Sequence, residues 1–363
     1  MRQTVPIRVL IVDDSALIRS ILSCVLSEQP DIEVVGGAKD PYEARELIIE
    51  YRPDVIILDI EMPRMDGLTF LTKLMAHYPV PVIMCSGVAP ASSHNALEAI
   101  ERGAVDVVAK PTTGGSKALQ ALGEDLAEKI KAAAIAMTHR PSIPASARTT
   151  PSSFRATGLD PGRHLVAIGA STGGTDAIKR LLECVPPDFP PVAIVQHMPE
   201  GFTESFAGRL DRFSRLTVSE AVDGDVLEPG RALLARGGVQ MTIIGGRRWR
   251  VMYGSDELVN RHCPSVDVLF DSVARVVGKQ AIGILLTGMG ADGARGLLNM
   301  RRAGGVTIAQ NQESCVVYGM PKVAVDLGAA QQSAAPADIP RLVMRMLRQR
   351  THRAAPAAQT GSR

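Results

Sequence analysis

Val9-Leu10-Ile11-Val12-Asp13-Asp14 sets a short apolar run, rich in Val and Ile, directly against two carboxylates. The same arrangement recurs three times in the first third of the chain. Asp59 follows Val55-Ile56-Ile57-Leu58, Ser86 follows Val82-Ile83-Met84-Cys85, and Lys110 follows Val105-Asp106-Val107-Val108-Ala109. Such runs, separated by helix-length amphipathic segments, read as buried strands of a parallel α/β sheet. Ligand chemistry in these sheets gathers at the carboxyl ends of the strands, so the five polar residues converge on one edge. Strand and helix alternate five times between residues 7 and 111, with strands expected at 7–12, 33–36 and 105–109 and helices at 15–27 and 41–51. A helix rich in Ala, Leu, Glu and Lys is expected to follow at 117–137.

Periodicity then stops. Residues 138–161 are dominated by Pro, Ser, Thr, Ala and Arg, with no acid before Asp160, a composition that cannot bury enough surface to offset its ordering entropy. A second α/β pattern begins beyond it, with strands expected at 165–169, 192–196, 232–235, 282–286 and 306–309. A hairpin over 241–244 and 248–253 interrupts that scheme, and a helix is expected at 265–277. The chain therefore divides into an α/β domain at 1–137, a flexible linker at 138–161, a second doubly wound α/β domain at 162–350 and a disordered basic tail at 351–363. Both sheets are expected to be mainly parallel.

At 363 residues the chain has room for about two domains. Lys and Arg total 40 against 38 Asp and Glu, so no global field favours nucleic acid or a membrane surface, and the second half lacks a basic recognition helix. The five cysteines are scattered and free of C-x-x-C spacing, which argues against a disulfide framework or a zinc site and for a reducing cytoplasm. Asp13 and Asp14 interrupt the first apolar stretch before a signal-peptide core could form, and no run approaches the length of a membrane span. A cytoplasmic monomer without membrane insertion is the expectation.

Two adjacent carboxylates facing a third repel strongly unless a cation lies among them. Mg²⁺ suits the set, being a hard ion that keeps waters and phosphate oxygens in its shell. Asp59, alone on its strand, is then the nucleophile toward phosphorus, forming an aspartyl phosphate, with Asp13 and Asp14 sharing the ion. Lys110 would neutralise one phosphoryl oxygen and the Ser86 hydroxyl would donate to another. The competing reading of any one of these residues is a helix cap, as Asp14 or Ser15 could supply; the full set in this strand order argues against it. With Leu58-Asp59-Ile60-Glu61-Met62-Pro63-Arg64-Met65-Asp66-Gly67 and Lys110-Pro111, this part resembles the receiver domain of bacterial response regulators. The resemblance implies a flavodoxin-like fold, phosphotransfer from a histidine kinase, a metal contact from the Glu61 backbone carbonyl and a cis Lys110-Pro111 bond.

Gly169-Ala170-Ser171-Thr172-Gly173 matches G-x-S-x-G directly after an expected strand, where glycines permit the sharp turn that lifts a serine hydroxyl to the sheet edge. A glycine-rich phosphate-binding turn is the competing reading. His197 ends the next strand and can approach Ser171 as general base if the two strands are neighbours; His262 is the runner-up, and His164 would lie at the opposite edge. The orienting carboxylate is assigned to Asp292, after the strand at 282–286 and a glycine-rich turn, with Asp267 and Asp271 as rivals on the helix at 265–277.

These motifs, with Gln196-His197-Met198-Pro199, Asn260-Arg261-His262-Cys263-Pro264-Ser265-Val266-Asp267, Thr287-Gly288-Met289-Gly290-Ala291-Asp292-Gly293 and Tyr318-Gly319-Met320-Pro321, resemble the catalytic domain of chemotaxis protein-glutamate methylesterases, the CheB family. The resemblance implies a Rossmann-like domain with Ser171 as nucleophile, His197 as base, Asp292 as orienting acid and backbone amides near Thr172 and Met289 as oxyanion donors. It implies demethylation of glutamate methyl esters on methyl-accepting chemotaxis receptors, with glutamine deamidation at the same site and no cofactor for the esterase. A non-enzymatic receiver-linked regulator, and the same esterase serving an array that does not control swimming, are the alternatives.

Overall fold

The computed structural model describes residues 5–87, 89–111, 116–138, 160–246 and 248–354. Five strands, β1 (Ile7–Val12), β2 (Ile32–Ala38), β3 (Val55–Asp59), β4 (Val82–Ser86) and β5 (Asp106–Ala109), form one parallel sheet in the order β2-β1-β3-β4-β5. Helices α1 (Ala16–Ser27), α2 (Pro41–Tyr51), α3 (Gly67–His77), α4 (Pro90–Glu101) and α5 (Ser116–Thr138) cover it. Because strand side chains alternate, Val9 and Ile11 pack with Leu22, Leu26, Leu126 and Ile130 on the α1 and α5 side. Leu10 and Val12 pack with Ile48, Leu71 and Leu74 on the other. Both faces being buried is what makes these strands read as unbroken apolar runs.

The second sheet has seven parallel strands in the order β14-β13-β12-β6-β7-β9-β8. They are β6 (Leu165–Ala170), β7 (Val192–Gln196), β8 (Thr217–Glu220), β9 (Arg231–Leu234), β12 (Ala281–Leu285), β13 (Val306–Gln310) and β14 (Gln332–Ala334). The expected hairpin is a separate antiparallel pair, β10 (Met241–Gly245) with β11 (Trp249–Tyr253). Helices α6 (Gly174–Glu183), α7 (Thr203–Phe213), α8 (Val266–Val276), α9 (Ala294–Arg302), α10 (Met320–Asp326) and α11 (Ile339–Ala354) complete the unit. The chain leaves β6 in one direction toward β7 and later returns to the other side of β6 as β12. That reversal opens a crevice at the strand carboxyl ends, the usual ligand position in such sheets.

Four features differ from the sequence-based expectations. β8 and β14 are edge strands in which Val218 is the one fully buried residue, so they lack the apolar signature of a strand. Residues 351–354, expected to belong to a disordered tail, continue α11; residues 355–363 lie outside the described residues, as does linker segment 139–159. The cis proline bond among the described residues is Cys263-Pro264, and Lys110-Pro111 is not cis. Asp106 begins β5 and its carboxylate is buried, although it had been read only as part of an apolar run.

Candidate functional sites

In the five-stranded unit the carboxyl ends bring Asp13, Asp14 and Asp59 together, with one carboxylate oxygen of each within 4.8 Å of the others. Asp13 and Asp59 are each 1% exposed and Asp14 is exposed, so the cluster opens to solvent on one side. Lys110 Nζ stands 2.7 Å from Asp59 Oδ2 and 3.1 Å from Asp13 Oδ2, yet neither oxygen gains a well-aligned hydrogen bond. Two buried, poorly satisfied carboxylate oxygens beside an exposed third suit a hard divalent cation that retains water. Burial pushes the Asp59 carboxyl up to about 6, opposed by Lys110 and reinforced by Asp13.

The Glu61 side chain accepts from Ser92 Oγ at 2.6 Å and its amide donates to Asp59 Oδ1 at 3.2 Å, so the metal-facing option at this residue is its backbone. Ser86 Oγ donates to the Ser92 carbonyl at 3.2 Å; in this arrangement the hydroxyl serves α4 rather than the carboxylates.

In the seven-stranded unit Ser171 follows β6, and its amide donates to Thr287 O at 3.0 Å across the crevice. Gly173 holds φ +78 between Ser171 and α6, where a Cβ would come within 2.5 Å of Val316. Gly288 packs against the serine itself, a Cβ there falling 2.6 Å from Ser171 Cβ. His197 follows β7, which pairs with β6 through Ala170 and Gln196, and its amide donates to Ala170 O at 3.0 Å. The expected neighbour relation of the two strands thus holds.

His197 Nε2 lies 2.9 Å from Asp292 Oδ2. A ring nitrogen that donates to a carboxylate leaves the other with its lone pair, so Nδ1 is the basic atom. Nδ1 is buried and has no hydrogen-bond partner, and the Ser171 hydroxyl is not bonded to it in this arrangement. Asp292 accepts four further bonds: Val266 N at 2.6 Å, Asn260 Nδ2 at 2.6 Å, Ser265 Oγ at 2.8 Å and Asp267 N at 3.3 Å. Burial alone would raise this carboxyl, but the bonds from His197, Asn260 and Ser265 outweigh it and hold it far below the ordinary range. Two of the donors are the first amides of α8, whose positive end favours an anion.

The rivals go elsewhere. Asp267 accepts from Gly296 N at 2.7 Å and Asn260 Nδ2 at 2.8 Å, and Asp271 from Asn299 Nδ2 at 2.8 Å. His164 Nδ1 is 3.3 Å from Gln280 O, at the amino ends of the strands. His262, the alternative base, stacks on His197 with ring centroids 3.6 Å apart and planes 16° from parallel. The amides of Thr172 and Met289 donate to no backbone carbonyl among the described residues, leaving both available to a ligand.

A family model described as "CheB methylesterase" matches residues 166–343 and one described as "Response regulator receiver domain" matches residues 9–121. A protein-glutamate methylesterase/protein-glutamine glutaminase of Anaeromyxobacter dehalogenans is 49% identical over 353 residues, covering 94% of this chain and 97% of that relative. One from Pseudomonas aeruginosa is 51% identical over 327 residues, covering 90% and 93%. The chain belongs to the CheB methylesterase family. The crystal structure of the Thermotoga maritima CheB methylesterase catalytic domain, 36% identical, covers 50% of this chain and 98% of that one with a TM-score of 0.49.

Within this CheB-family chain, three contributors escaped the motif reading. Asn260 and Ser265 hold Asp292 from a loop in which Asn260 (φ +53) and Arg261 (φ +71) both take left-handed backbone, strain that persists only where surroundings impose it. Asn-Arg-His-Cys-Pro-Ser is one contiguous motif, but nothing in its spacing says that its amide and hydroxyl reach an acid 32 and 27 residues away. The third is the receiver surface itself. Thr172 Oγ1 donates to Asp106 Oδ2 at 2.7 Å, and His262 Nε2 lies 3.9 Å from Glu128 Oε1 on α5. Arg261 Nε is 3.6 Å from Glu124, and Glu101 of α4 pairs with Lys179 at 3.5 Å and with Arg209.

Proposed function

We propose that this protein is a phosphorylation-controlled serine esterase that removes methyl groups from glutamate side chains of chemotaxis receptors, with Ser171 as nucleophile, His197 as base and Asp292 as the acid that orients it. The observation that carries the reading is the His197–Asp292 pair at 2.9 Å, buried beside the strand end that bears Ser171. Ser171 Oγ attacks the γ-carbonyl carbon while His197 Nδ1 takes its proton. The oxygen left negative is received by the Thr172 and Met289 amides. Collapse expels methanol, which takes the proton back from His197. Water, deprotonated by the same nitrogen, then attacks the acyl-serine and releases glutamate. With a glutamine the leaving group is ammonia and the acyl intermediate is the same, so deamidation needs no second site.

At the receiver, Asp59 would accept the phosphoryl group from the histidine kinase of a chemosensory array. Asp13, Asp14, Asp59 and the Glu61 carbonyl would hold Mg²⁺, which would neutralise charge on the transferred group. The contacts of β5 and α5 with Thr172 and His262 support control by occlusion, the phosphorylated receiver leaving the edge uncovered. A methanol-release assay on methylated receptor, run with and without a small phosphodonor, tests the whole reading. Ser171→Ala is expected to lower turnover by roughly 10⁴-fold or more. Methanol release by that variant at the wild-type rate refutes the assignment, and an unchanged wild-type rate on adding phosphodonor refutes the control.

A further inference from the structure

The closed edge carries a charge pattern that a mere cover would not require. Four receiver acids from three elements, Glu101 of α4, Asp106 of β5, and Glu124 and Glu128 of α5, face the catalytic unit. Opposite them stand Lys179 of α6, Arg209 of α7 and Arg261 of the loop before α8, three cations that three separate elements of the catalytic unit present to the receiver's acids. Glu124 and Glu128 are one helical turn apart, so α5 presents both on one face.

Glu128 stands beside the histidine pair. Its Oε1 lies 3.9 Å from His262 Nε2, whose ring is stacked on His197, and 3.3 Å from where a Cβ on Gly290 would stand. Gly290 adjoins Met289, the residue assigned an oxyanion amide. The Glu128 carboxyl is raised mainly by burial, a cost that the charges of His197 and Arg261 offset in part. The chemical group at this point is a glutamate carried on a helix, which is also the product of the reaction proposed above.

We propose that Glu128 on α5 occupies the approach of the substrate's glutamate as a built-in product analogue, and that Lys179, Arg209 and Arg261 form a basic rim that receives the receiver's acids in the closed chain and those of an acidic, glutamate-bearing substrate helix in the open one. This rests on the esterase reading and adds a substrate-recognition surface to it. Receiver and substrate then compete for the same charges, and displacement of the receiver exposes a rim already matched to an anionic helix.

The test uses the full-length chain with methylated receptor membranes as substrate, and a neutral fluorophosphonate, which carries no acidic helix, as a probe of Ser171. Without phosphodonor, Glu128→Ala, Lys179→Glu and Arg261→Glu are each expected to label at least about threefold faster than wild type. With phosphodonor, Lys179→Glu and Arg261→Glu are expected to raise KM for receptor at least about fivefold, with kcat and labelling rate within about twofold of wild type, while Glu128→Ala leaves KM unchanged. The retained labelling rate shows that the rim variants are folded. A KM within about twofold of wild type in both rim variants, with labelling retained, overturns the proposal and leaves the rim a latch for the receiver alone. Wild-type protein that neither labels at Ser171 nor releases methanol overturns the esterase reading itself, a result distinct from the first.

Discussion

Asn260 bears directly on the proposed orienting acid, since it donates to Asp292 at 2.6 Å and to Asp267 at 2.8 Å from a backbone that L-residues seldom adopt. Asn260→Ala removes a bond to a buried carboxylate, a loss of about 1–3 kcal/mol, and kcat for methanol release is expected to fall about 5- to 100-fold with KM little changed. An unchanged kcat would show that Ser265 and α8 suffice to hold Asp292. His262 makes a separate, pH-dependent contribution. Burial, with the neighbouring His197 adding to it, presses its imidazole down from 6.5 to about 2. The unfolded chain therefore binds a proton near pH 6.5 that the folded chain refuses, and stability present above that pH is lost as pH falls below it. His262→Phe keeps a stacked ring without a titrating site. Between pH 7 and pH 5 its unfolding free energy is expected to drop less than that of wild type, by up to about 2 kcal/mol. Equal drops in denaturant titrations at the two pH values would show that His262 titrates normally.

At the scale of elements, α5 is fixed to the receiver sheet by a buried cation. Lys129 Nζ donates to Val107 O at 2.7 Å and lies 3.5 Å from Asp125 and 3.9 Å from Asp106. Its burial would favour the neutral amine, but Asp125 and Asp106 hold the ammonium charged. Lys129→Ala would strand the Val107 carbonyl and leave Asp106 facing Thr172 without its cation. The expected loss is about 3–5 kcal/mol in the receiver, read as an earlier urea transition, and α5 would be released from the catalytic edge. The fate of individual elements also shows what patterning can reveal. β1, β3 and β7 were legible because both faces of each are covered, so four consecutive residues of each, 9–12, 55–58 and 192–195, are apolar. β8 and β14 were not, because an edge strand buries little and its residues answer to solvent. α11 runs into the residues read as tail because Leu342, Val343, Met344 and Leu347 bury one stripe while Arg341 and Arg345 are exposed, and the charged residues dominated the reading of composition.

At the scale of the molecule, one sheet carries Asp59 at its carboxyl edge and the other carries Ser171 at its own, while Asp106 at the start of β5 and Glu128 of α5 contact the second unit. The apolar cluster on the α2 to α4 side of the receiver is continuous with that beneath α6 and α7, so the closed form is held by packing as well as by ion pairs. Surface pairs such as Arg261 with Glu124 contribute little individually beside that packing. Deleting residues 1–159 is expected to raise the basal methanol-release rate and abolish its response to phosphodonor; an unchanged basal rate counts against occlusion. What the order of residues alone determined was which side chains gather at each edge: Asp13, Asp14, Asp59 and Lys110 on one, Ser171, His197 and Asp292 on the other. Strand period and strand order are local properties that place a terminal residue on a known edge. Only the tertiary structure decided which ring nitrogen of His197 faces the acid, which amide and hydroxyl hold Asp292, and that Glu128 comes within 3.9 Å of His262. Those contacts join residues far apart in the chain, where no periodicity connects them and packing alone selects the partners.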